Sequence, residues 1–448
     1  MLVSIVCILQ VCCAFRSHVV TYSYLFLSFS SPPPQLFHYL LSAHLKKLHS
    51  NMLKRVRDGS SPFTDPGSQM SADERDMWAA IHQRRLRDES DEFVVVPRVV
   101  PDQTGQGSES VTLDVGLVSQ CNLPHLHFIP FLAKRWDGPV SVAVFAMPDE
   151  VPLLVQVLAV MRQCHPHVQR HVHFHIVFPI GGSLNSSRSH VPNNCQEADR
   201  FVENLKIRAR NYGEQKIAYP NNLLRNIARR YSGTEFTLVT DIDMVPNCGL
   251  RKSFLAFGTR SGLFDSDRRK VVYVVPVYEI RSEVSAHLIP CNKKELLDMV
   301  ERQEARPFYM ELCWKCQKVT GYAEWERSTG AIGDEGPENQ DQDQLSVLHI
   351  VGWRDAWEPF YISRNEVPLY DERFRQYGFN RVSQVCETHV AGYNFAVLNN
   401  AFLVHRGWKI SDSFHADKEL DQERNRILFR QFKASLASKY PTGTRSCD

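Results

Sequence analysis

Residues 236–246 constrain the fold of this chain more than any other stretch. They read Phe-Thr-Leu-Val-Thr-Asp-Ile-Asp-Met-Val-Pro, an apolar run rich in β-branched residues that ends in Asp241 and Asp243. Such a run is typical of a buried strand in a parallel sheet, and Pro246 stops further strand pairing. Open α/β sheets bind their ligands beyond the carboxyl ends of their strands. We therefore expect two carboxylates at a ligand-binding edge, within reach of one divalent cation.

Three interpretations of this acidic pair are open on the stretch alone. The pair can be a plain acidic turn after a strand, which is the commoner case for an isolated Asp-x-Asp. It can be the nucleophile motif of a haloacid-dehalogenase-type phosphatase, with Asp241 attacking and Asp243 as the acid/base. It can also be the Asp-x-Asp of a sugar-nucleotide glycosyltransferase, in which a metal bridges the carboxylates and a diphosphate.

The residues before the pair alternate between predicted strands and helices, which is the pattern of an α/β sheet. Strands are predicted at 111–118, 140–146, 172–179 and 236–241, and helices at 123–136, 149–163, 197–208 and 219–230. The Asp-x-Asp therefore lies about 150 residues into the folded part. Phosphatases of the type above usually carry theirs on the first strand, and no later lysine and acidic pair follows in the order they need. The phosphatase interpretation is disfavoured.

Length and charge limit the classes of protein that the chain can belong to. Its 448 residues, 43% of them hydrophobic, suffice for one large domain or two modest ones. The net charge is only +2, and this near balance does not indicate a nucleic-acid partner, which would need a concentrated basic face. His171, His173 and His175 alternate with apolar residues, and this pattern favours a solvated strand face over a metal ladder.

The predicted organisation has three parts. Residues 1–30 are mostly apolar and form a candidate signal-anchor or transmembrane segment, although they lack a basic n-region. Residues 31–92 contain a Pro-rich start and many charges, which predicts a largely disordered stem with one helix near 71–87. The compact domain is expected to span residues 93–448, with an acidic flexible loop at 327–347.

Cysteines and one sequon bear on the cellular compartment. The chain has 12 cysteines, and outside the apolar leader only Cys313 and Cys316 are closely spaced. No second pair accompanies them to complete a zinc site, so a local disulfide or one long-range bridge is expected in a secretory lumen. Asn185 begins the only glycosylation sequon, which is usable if the chain enters the secretory pathway.

Several longer motifs identify a family. They are Tyr219-Pro-Asn-Asn-Leu-Leu-Arg-Asn, Asp241-Ile-Asp-Met-Val-Pro, Trp357-Glu-Pro-Phe-Tyr, Asp371-Glu-Arg-Phe-Arg-Gln-Tyr-Gly-Phe-Asn-Arg and Phe402-Leu-Val-His405. Together they resemble glycosyltransferase family 49, which includes the glucuronyltransferase domain of the LARGE enzymes. The resemblance covers roughly residues 110–446 and is densest from residue 353 onward.

The resemblance implies a fold, an activity and a location. The fold would be of GT-A type, α/β with a mixed central sheet flanked by helices. The activity would be Mn²⁺-dependent, with Mg²⁺ as the alternative metal, and would transfer glucuronate from UDP-glucuronate to a β-xyloside in an inverting β-1,4 reaction. This step primes the O-mannosyl glycan of α-dystroglycan for LARGE. The enzyme would be a type II Golgi membrane protein with a luminal catalytic domain.

Other activities and partners stay open at this stage. One alternative is a β-1,3-N-acetylglucosaminyltransferase of poly-N-acetyllactosamine synthesis, and another is a non-catalytic Golgi partner of other glycosyltransferases. LARGE-type enzymes and a second copy of the chain are the expected protein partners. The chain departs from the family in its first 90 or so residues, in the insertion at 327–347, and in lacking a sequon just before Tyr219.

The resemblance also implies a metal set. Asp241 and Asp243 supply oxygen ligands that suit Mn²⁺ or Mg²⁺. In sugar transferases of this fold the first aspartate often also reaches the ribose, so Asp243 is the firmer direct ligand. A late histidine often completes the shell, and His405 after the predicted strand fits that place.

The remaining site residues are less determined. Inversion by single displacement needs a general base, and Asp371, Glu372 and Glu387 are candidates between which the sequence does not choose. The anionic donor calls for cations, for which Arg225 is the first choice, with Lys293 and Arg281 weaker. Asn221 and Asn222 are expected either to contact the uracil or ribose or to cap a helix. Base and acceptor pocket are expected from the aromatic stretch 353–405.

Overall fold

The computed structural model describes residues 70–100, 111–184, 191–208, 217–265, 269–328, 344–410 and 418–447. The candidate anchor at 1–30, residues 31–69 of the predicted stem, the Asn185 sequon and most of the acidic loop at 327–347 lie outside these residues. Within the described ranges, no helix is both long enough and apolar enough to cross a membrane.

The described chain contains helices and strands in the alternation expected from the sequence. The helices are α1 (Ala72–Gln83), α2 (Ile129–Trp136), α3 (Val151–Cys164), α4 (Pro166–His171), α5 (Cys195–Asn204), α6 (Asn221–Arg230), α7 (Leu250–Arg260), α8 (Lys293–Glu301), α9 (Tyr322–Arg327), α10 (Asn380–Val390) and α11 (Lys418–Lys439). The strands are β1 (Leu86–Arg87), β2 (Phe93–Val96), β3 (Thr112–Asn122), β4 (Val140–Phe145), β5 (Val172–Pro179), β6 (Thr234–Val239), β7 (Met244–Pro246), β8 (Val271–Val275), β9 (Val277–Ile280), β10 (Ala305–Pro307), β11 (Ser346–Val351), β12 (Phe360–Arg364), β13 (Asn394–Asn399) and β14 (Leu403–Arg406).

These strands form one large mixed sheet, in the order β1-β2-β5-β4-β3-β6-β12-β8-β13-β11. Strands β5, β4, β3 and β6 are parallel neighbours, and their apolar residues are buried as expected for a sheet covered by helices. Strand β12 runs antiparallel between β6 and β8, and β13 is parallel to β8. The predicted mixed central sheet flanked by helices is confirmed.

A second, smaller sheet has the order β10-β9-β14-β7. The chain passes from the large sheet into the small one at three places: from β6 to β7, from β8 to β9 and from β13 to β14. Pro276 makes the second passage, because it stands between β8 and β9 and has no amide hydrogen to donate to either sheet. The acidic pair occupies the first passage, so it lies where the two sheets meet.

The N-terminal boundary of the packed unit differs from the prediction. Helix α1 forms within the helical stretch expected near 71–87, where the side chains of Ser71 and Glu74 cap its first turn reciprocally. Its apolar side chains Met77, Ala80 and Ile81 are buried in the main core. The packed unit therefore includes residues from Met70 onward rather than starting near Phe93.

The histidine-rich strand also differs from the prediction. His175 is completely buried, because its strand lies inside the sheet and not at a solvated face. Its Nδ1 accepts a hydrogen bond from the Arg98 amide at 2.9 Å, and its Nε2 lies 2.8 Å from Ser141 Oγ. The Ser141 hydroxyl in turn donates to the Ala228 carbonyl. His175 is thus a structural residue of the core.

Disulfides connect neighbouring elements of the packed unit. The expected local bridge joins Cys313 to Cys316, and three longer-range bridges join Cys164–Cys195, Cys248–Cys291 and Cys386–Cys447. Among the described cysteines only Cys121 is unpaired, and it is buried. The last of these bridges ties α10 to the C-terminal segment.

Candidate active site

The acidic pair forms a turn between the two sheets. The Thr240 amide still donates to Val118 of β3 at 2.9 Å, after which the chain leaves the large sheet. The Met244 amide then donates to the Asp241 carbonyl at 3.0 Å and starts the small sheet. Ile242, between the acids, is buried in the core. This turn gives the carboxylates of Asp241 and Asp243 different surroundings.

Asp241 is held by two buried arginines. Arg225 Nη2 of α6 lies 2.9 Å from Asp241 Oδ1, and Arg381 Nη2 of α10 lies 3.1 Å from Oδ2 and 3.2 Å from Oδ1. Burial by itself would raise the pKa of Asp241, but the charges of Arg381 and Arg225 outweigh it, so the pKa lies below its ordinary value. The carboxylate is therefore ionised and oriented by charge-assisted hydrogen bonds.

Asp243 faces the small sheet. Its Oδ2 lies 3.1 Å from His405 Nε2 and 3.5 Å from Lys409 Nζ. Strand β14 places the histidine there, because His405 pairs with Met244 in the register of β14 and β7. Burial would raise the pKa of Asp243, but the hydrogen bond and charge of His405, with that of Lys409, bring it well below its ordinary value.

The Asp243–His405 pair fits a divalent cation. His405 Nδ1 lies 2.7 Å from the Gly407 carbonyl, to which it donates, so Nε2 is the ring nitrogen that faces Asp243 and would bind a cation in place of its proton. Adjacent ligands of an octahedral cation with bonds of 2.0–2.1 Å are about 2.9 Å apart, close to the separation of these two atoms. Asp241, by contrast, has both oxygens engaged by arginines. Asp243 and His405 are thus the better direct ligands.

The predicted donor residues on α6 have separate positions. Arg225 reaches Asp241 and is braced by Asn222, whose Oδ1 accepts from Arg225 Nη1 at 3.0 Å. Asn222 is fully buried and donates to the carbonyls of Asp371 and Asn380, so it joins α6 to that segment. Asn221 Oδ1 is buried with no hydrogen-bond partner among the described residues. Of the two amides, Asn221 is the one with an acceptor left for a ligand.

Two cations predicted for the donor are engaged elsewhere. Lys293 Nζ donates to the carbonyls of Trp325 and Ser328 and to the side chains of Ser328 and Asn399, at 2.5–2.9 Å. Burial lowers the pKa of Lys293 to about 8. Arg281 donates to the Gln303 carbonyl and lies over the Trp408 ring. Lys293 is therefore part of a structural junction between α8, α9 and β13.

The candidate bases are all paired with other side chains. Asp371 accepts two hydrogen bonds from its neighbour Arg373. Glu372 accepts from Asn226 Nδ2 at 2.8 Å. Glu387 is buried and accepts from Tyr440 Oη at 2.8 Å and from Lys439 Nζ at 2.6 Å. The structure places Glu387 against the C-terminal helix α11 and its end, not beside the acidic pair.

A carboxylate that was not among these candidates lies at the site. Glu358 precedes β12, which begins at Phe360 and pairs antiparallel with β6, with Ile362 opposite Leu238. Continuing that register brings Glu358 to the level of the turn at Ile242. The Phe360 ring lies 3.9 Å from the guanidinium carbon of Arg381, which in turn holds Asp241.

Glu358 differs from the paired acids in its electrostatics. Within the described chain, no hydrogen bond or ion pair engages its side-chain carboxylate. Burial raises its pKa, Arg381 lowers it, and the charge of Asp241 raises it further, so that the pKa lies above the ordinary value of a glutamate. Both Glu358 and Arg381 belong to the family motifs quoted above. Their place in these motifs is the sequence feature from which a functional role could have been predicted.

Comparison with known proteins finds the same family that the motifs indicate. Residues 114–441 match a family model described as "Glycosyl-transferase for dystroglycan". The chain is 40% identical over 343 residues to human "Beta-1,4-glucuronyltransferase 1", covering 75% of this chain and 78% of the relative. It is 38% identical over 349 residues to the zebrafish (Danio rerio) protein of that name, covering 76% and 77% respectively.

More distant similarities also exist. Human "Xylosyl- and glucuronyltransferase LARGE1" is 27% identical over 337 residues, which cover 73% of this chain and 36% of that protein. Among solved structures, S. aureus TarS 1-349 in complex with UDP-GlcNAc is similar at 10% identity and a TM-score of 0.34, covering 75% of this chain and 68% of that one. This structural similarity is too weak to support an inference.

Proposed function

The chain belongs to glycosyltransferase family 49 and is a glycosyltransferase of GT-A type fold, and from this premise we propose that it transfers glucuronate from UDP-glucuronate. The proposed acceptor is a β-xyloside, the linkage β-1,4 and the metal Mn²⁺, with Mg²⁺ as the alternative. The observation that carries this proposal is the Asp243–His405 pair, 3.1 Å apart after the central strand, in a chain 40% identical to a named glucuronyltransferase.

Asp243 and His405 would hold the cation. When bound, a divalent cation acts as a Lewis acid that stabilises the charge developing on the leaving diphosphate. An imidazole ligand beside a carboxylate favours Mn²⁺ over Mg²⁺. Asp241, fixed by Arg225 and Arg381, would orient the ribose of the donor. The two arginines add positive charge next to an anionic donor.

We assign the general base to Glu358. In an inverting single displacement, the acceptor hydroxyl attacks the anomeric carbon while the bond to the diphosphate breaks, and the hydroxyl proton passes to a carboxylate. The base must lie across the sugar from the leaving group. Glu358 lies just before β12, the neighbour of β6 in the large sheet, within the electrostatic influence of Asp241 and Arg381, and its carboxylate is not engaged by another described side chain. Asp371, Glu372 and Glu387 each have a partner.

The proposed biological setting is supported by the family and by the disulfides. We propose that the product primes the O-mannosyl glycan of α-dystroglycan for LARGE-type enzymes, in the Golgi lumen, with residues 1–30 as the membrane anchor. The four disulfides support an oxidising compartment, because such bridges rarely persist in the cytosol. The family description names dystroglycan.

A transfer assay tests the proposal. The purified full chain is incubated with Mn²⁺, a β-xyloside and a panel of UDP-sugars, and the product linkage is determined by NMR. We expect a β-1,4-glucuronyl product from UDP-glucuronate. A folded protein that gives no product would overturn the proposal. A preference for UDP-N-acetylglucosamine would show that this sugar nucleotide, and not UDP-glucuronate, is the donor.

A matched variant separates catalysis from a purely binding role. The double variant Asp241→Asn, Asp243→Asn should lose transfer while its circular dichroism spectrum and melting temperature stay close to those of the parent. If alanine at Asp241, Asp243 and His405 rescued cells lacking the protein, the chain would act as a non-catalytic partner instead.

A further inference from the structure

Two histidines and an aspartate converge on the flank of the large sheet, away from the acidic pair. His167 and His171 are four residues apart on α4 and so lie on one face of the helix. Asp137 follows α2, which packs next to α4. His167 Nδ1 and His171 Nε2 each lie 3.9 Å from the same atom, Asp137 Oδ1.

The backbone of Asp137 is fixed independently of the histidines. Its conformation is left-handed, with φ of 49°, and its amide donates to the Ala133 carbonyl at the end of α2. Its carbonyl accepts from Arg251 Nη1 at 2.8 Å. The backbone that carries the carboxylate is therefore held beside α4, and the cluster does not need a rearrangement of the chain to form.

The histidines approach this carboxylate without bonding to it. A separation of 3.9 Å is too long for a hydrogen bond. His167 Nδ1 is buried and has no hydrogen-bond partner among the described residues. A buried imidazole nitrogen without a partner is costly, and a ligand between the three atoms would remove that cost.

The spacing suits a metal ion. Two ligands of a tetrahedral zinc ion, at bonds of about 2.0–2.1 Å, lie roughly 3.3 Å apart. Each histidine nitrogen needs to move by only about 0.6 Å relative to Asp137 Oδ1 to reach that separation. The three ligand atoms also lie within 4.8 Å of one another.

We infer that Asp137, His167 and His171 form a second metal site, which binds Zn²⁺ in preference to Mn²⁺. Two imidazoles and one carboxylate suit zinc, whereas oxygen-rich sites suit Mn²⁺ and Mg²⁺. A water completes the four ligands. The bound ion joins the end of α2 to α4 and stabilises their packing, and this role is independent of the proposed transferase function.

One neighbouring cation competes with the metal. Lys252 Nζ lies 2.9 Å from Asp137 Oδ2, which leaves Oδ1 directed at the histidines. Lys252 is 69% exposed, so its ion pair is solvent-screened and readily exchanged. The positive charge of Lys252 and Arg251 limits the affinity of the site, and removing Lys252 should increase it.

Zinc titration of the full chain tests this inference. The parent carries Asp243→Asn, which weakens metal binding at the acidic pair, and is stripped with a chelator and dialysed. Isothermal titration with Zn²⁺ should show one bound equivalent in the parent. The double variant His167→Ala, His171→Ala should bind that equivalent at least tenfold more weakly. His165→Ala is the matched control, because His165 directly precedes the same helix but pairs with Asp199. Mn²⁺ should bind this site more weakly than Zn²⁺.

Stability measurements keep the test decisive if the double variant folds poorly. Zn²⁺ should raise the melting temperature of the parent and of His165→Ala, and should not raise that of Asp137→Asn. Lys252→Ala should bind Zn²⁺ several-fold more tightly than the parent. Equal zinc affinity in the parent and in both ligand variants would overturn the site, as would tighter binding of Mn²⁺ than of Zn²⁺.

Discussion

The two sides of the candidate active site use carboxylates in different ways. On the proposed metal side, formed by Asp243, His405 and Lys409, the carboxylate faces the Nε2 nitrogen of an imidazole. On the arginine side, formed by Asp241, Arg225, Arg381 and Glu358, the carboxylate is bound by two guanidinium groups.

This contrast arises because the turn at Ile242 lies between two sheets. Asp241 is at the end of the large sheet and meets the helices packed on it, whereas Asp243 begins the small sheet and meets β14. Two carboxylates with one residue between them therefore have different surroundings, and in our proposal Asp241 is an anion held by arginines whereas Asp243 is a cation ligand.

The largest effect is expected on the metal side. Asp243→Asn replaces the ionised ligand by a neutral amide, and loss of a metal-stabilised leaving group costs several kcal/mol, or about 10³-fold in kcat/KM. Transfer is measured at saturating Mn²⁺, with thermal unfolding as the folding control. Retention of more than a tenth of the activity would place the cation elsewhere.

The base on the arginine side should come next. Glu358→Gln should lower transfer by about 10²-fold, the lower end of what general base catalysis contributes, with UDP binding unchanged by calorimetry. Parent kcat/KM should fall as pH drops through the raised pKa of Glu358, since the protonated acid accepts no proton. The variant should lack this acid limb. Glu372→Gln is the control, and an equal loss there would move the base to the earlier candidates.

His405→Gln tests whether the imidazole of His405 binds Mn²⁺. The Mn²⁺ concentration for half-maximal activity should rise by about 10–100-fold, with smaller loss at saturating metal. His349→Gln, whose ring contacts Thr320, should leave metal activation unchanged. An unchanged Mn²⁺ requirement in His405→Gln would leave the imidazole as a structural residue.

A smaller effect is expected from Arg381→Lys. Lysine keeps the charge but loses the planar pair of hydrogen bonds to Asp241, so we expect roughly a tenfold higher KM for the donor. The metal requirement should not change, because Asp243 is untouched. Arg373→Lys, which alters only the pair with Asp371 at the surface, is the control. A changed Mn²⁺ requirement would mean that the two sides are not separate.

The smallest effect on activity is expected from Glu387→Gln. This carboxylate bonds Tyr440 and Lys439, so its loss should reduce the free energy of unfolding by about 1–3 kcal/mol while transfer stays within about twofold. Urea unfolding and the transfer assay measure the two quantities. A large loss of transfer at full stability would make Glu387 a functional residue.

The sequence predicted the strands and the acidic pair well because both depend on short-range patterns. An apolar run followed by Asp241 and Asp243 needs no distant residue to be interpreted. The role of Arg381 depends on its contact with Asp241, which lies 140 residues away in the sequence. The role of Glu358 depends on the pairing of β12 with β6. Lys293 matched the charge expected of a donor residue, but its buried partners come from α9 and β13.

The sequence by itself determined the fold class and the position of Asp241 and Asp243 at a strand end, and its resemblance to a family indicated His405 as their companion. The tertiary structure decided which carboxylate faces arginines, which faces the imidazole, and which glutamate comes next to them. The physical reason is that residue type and spacing specify local backbone and burial. The environment of a charged side chain is set instead by residues that only the packing of the two sheets brings together.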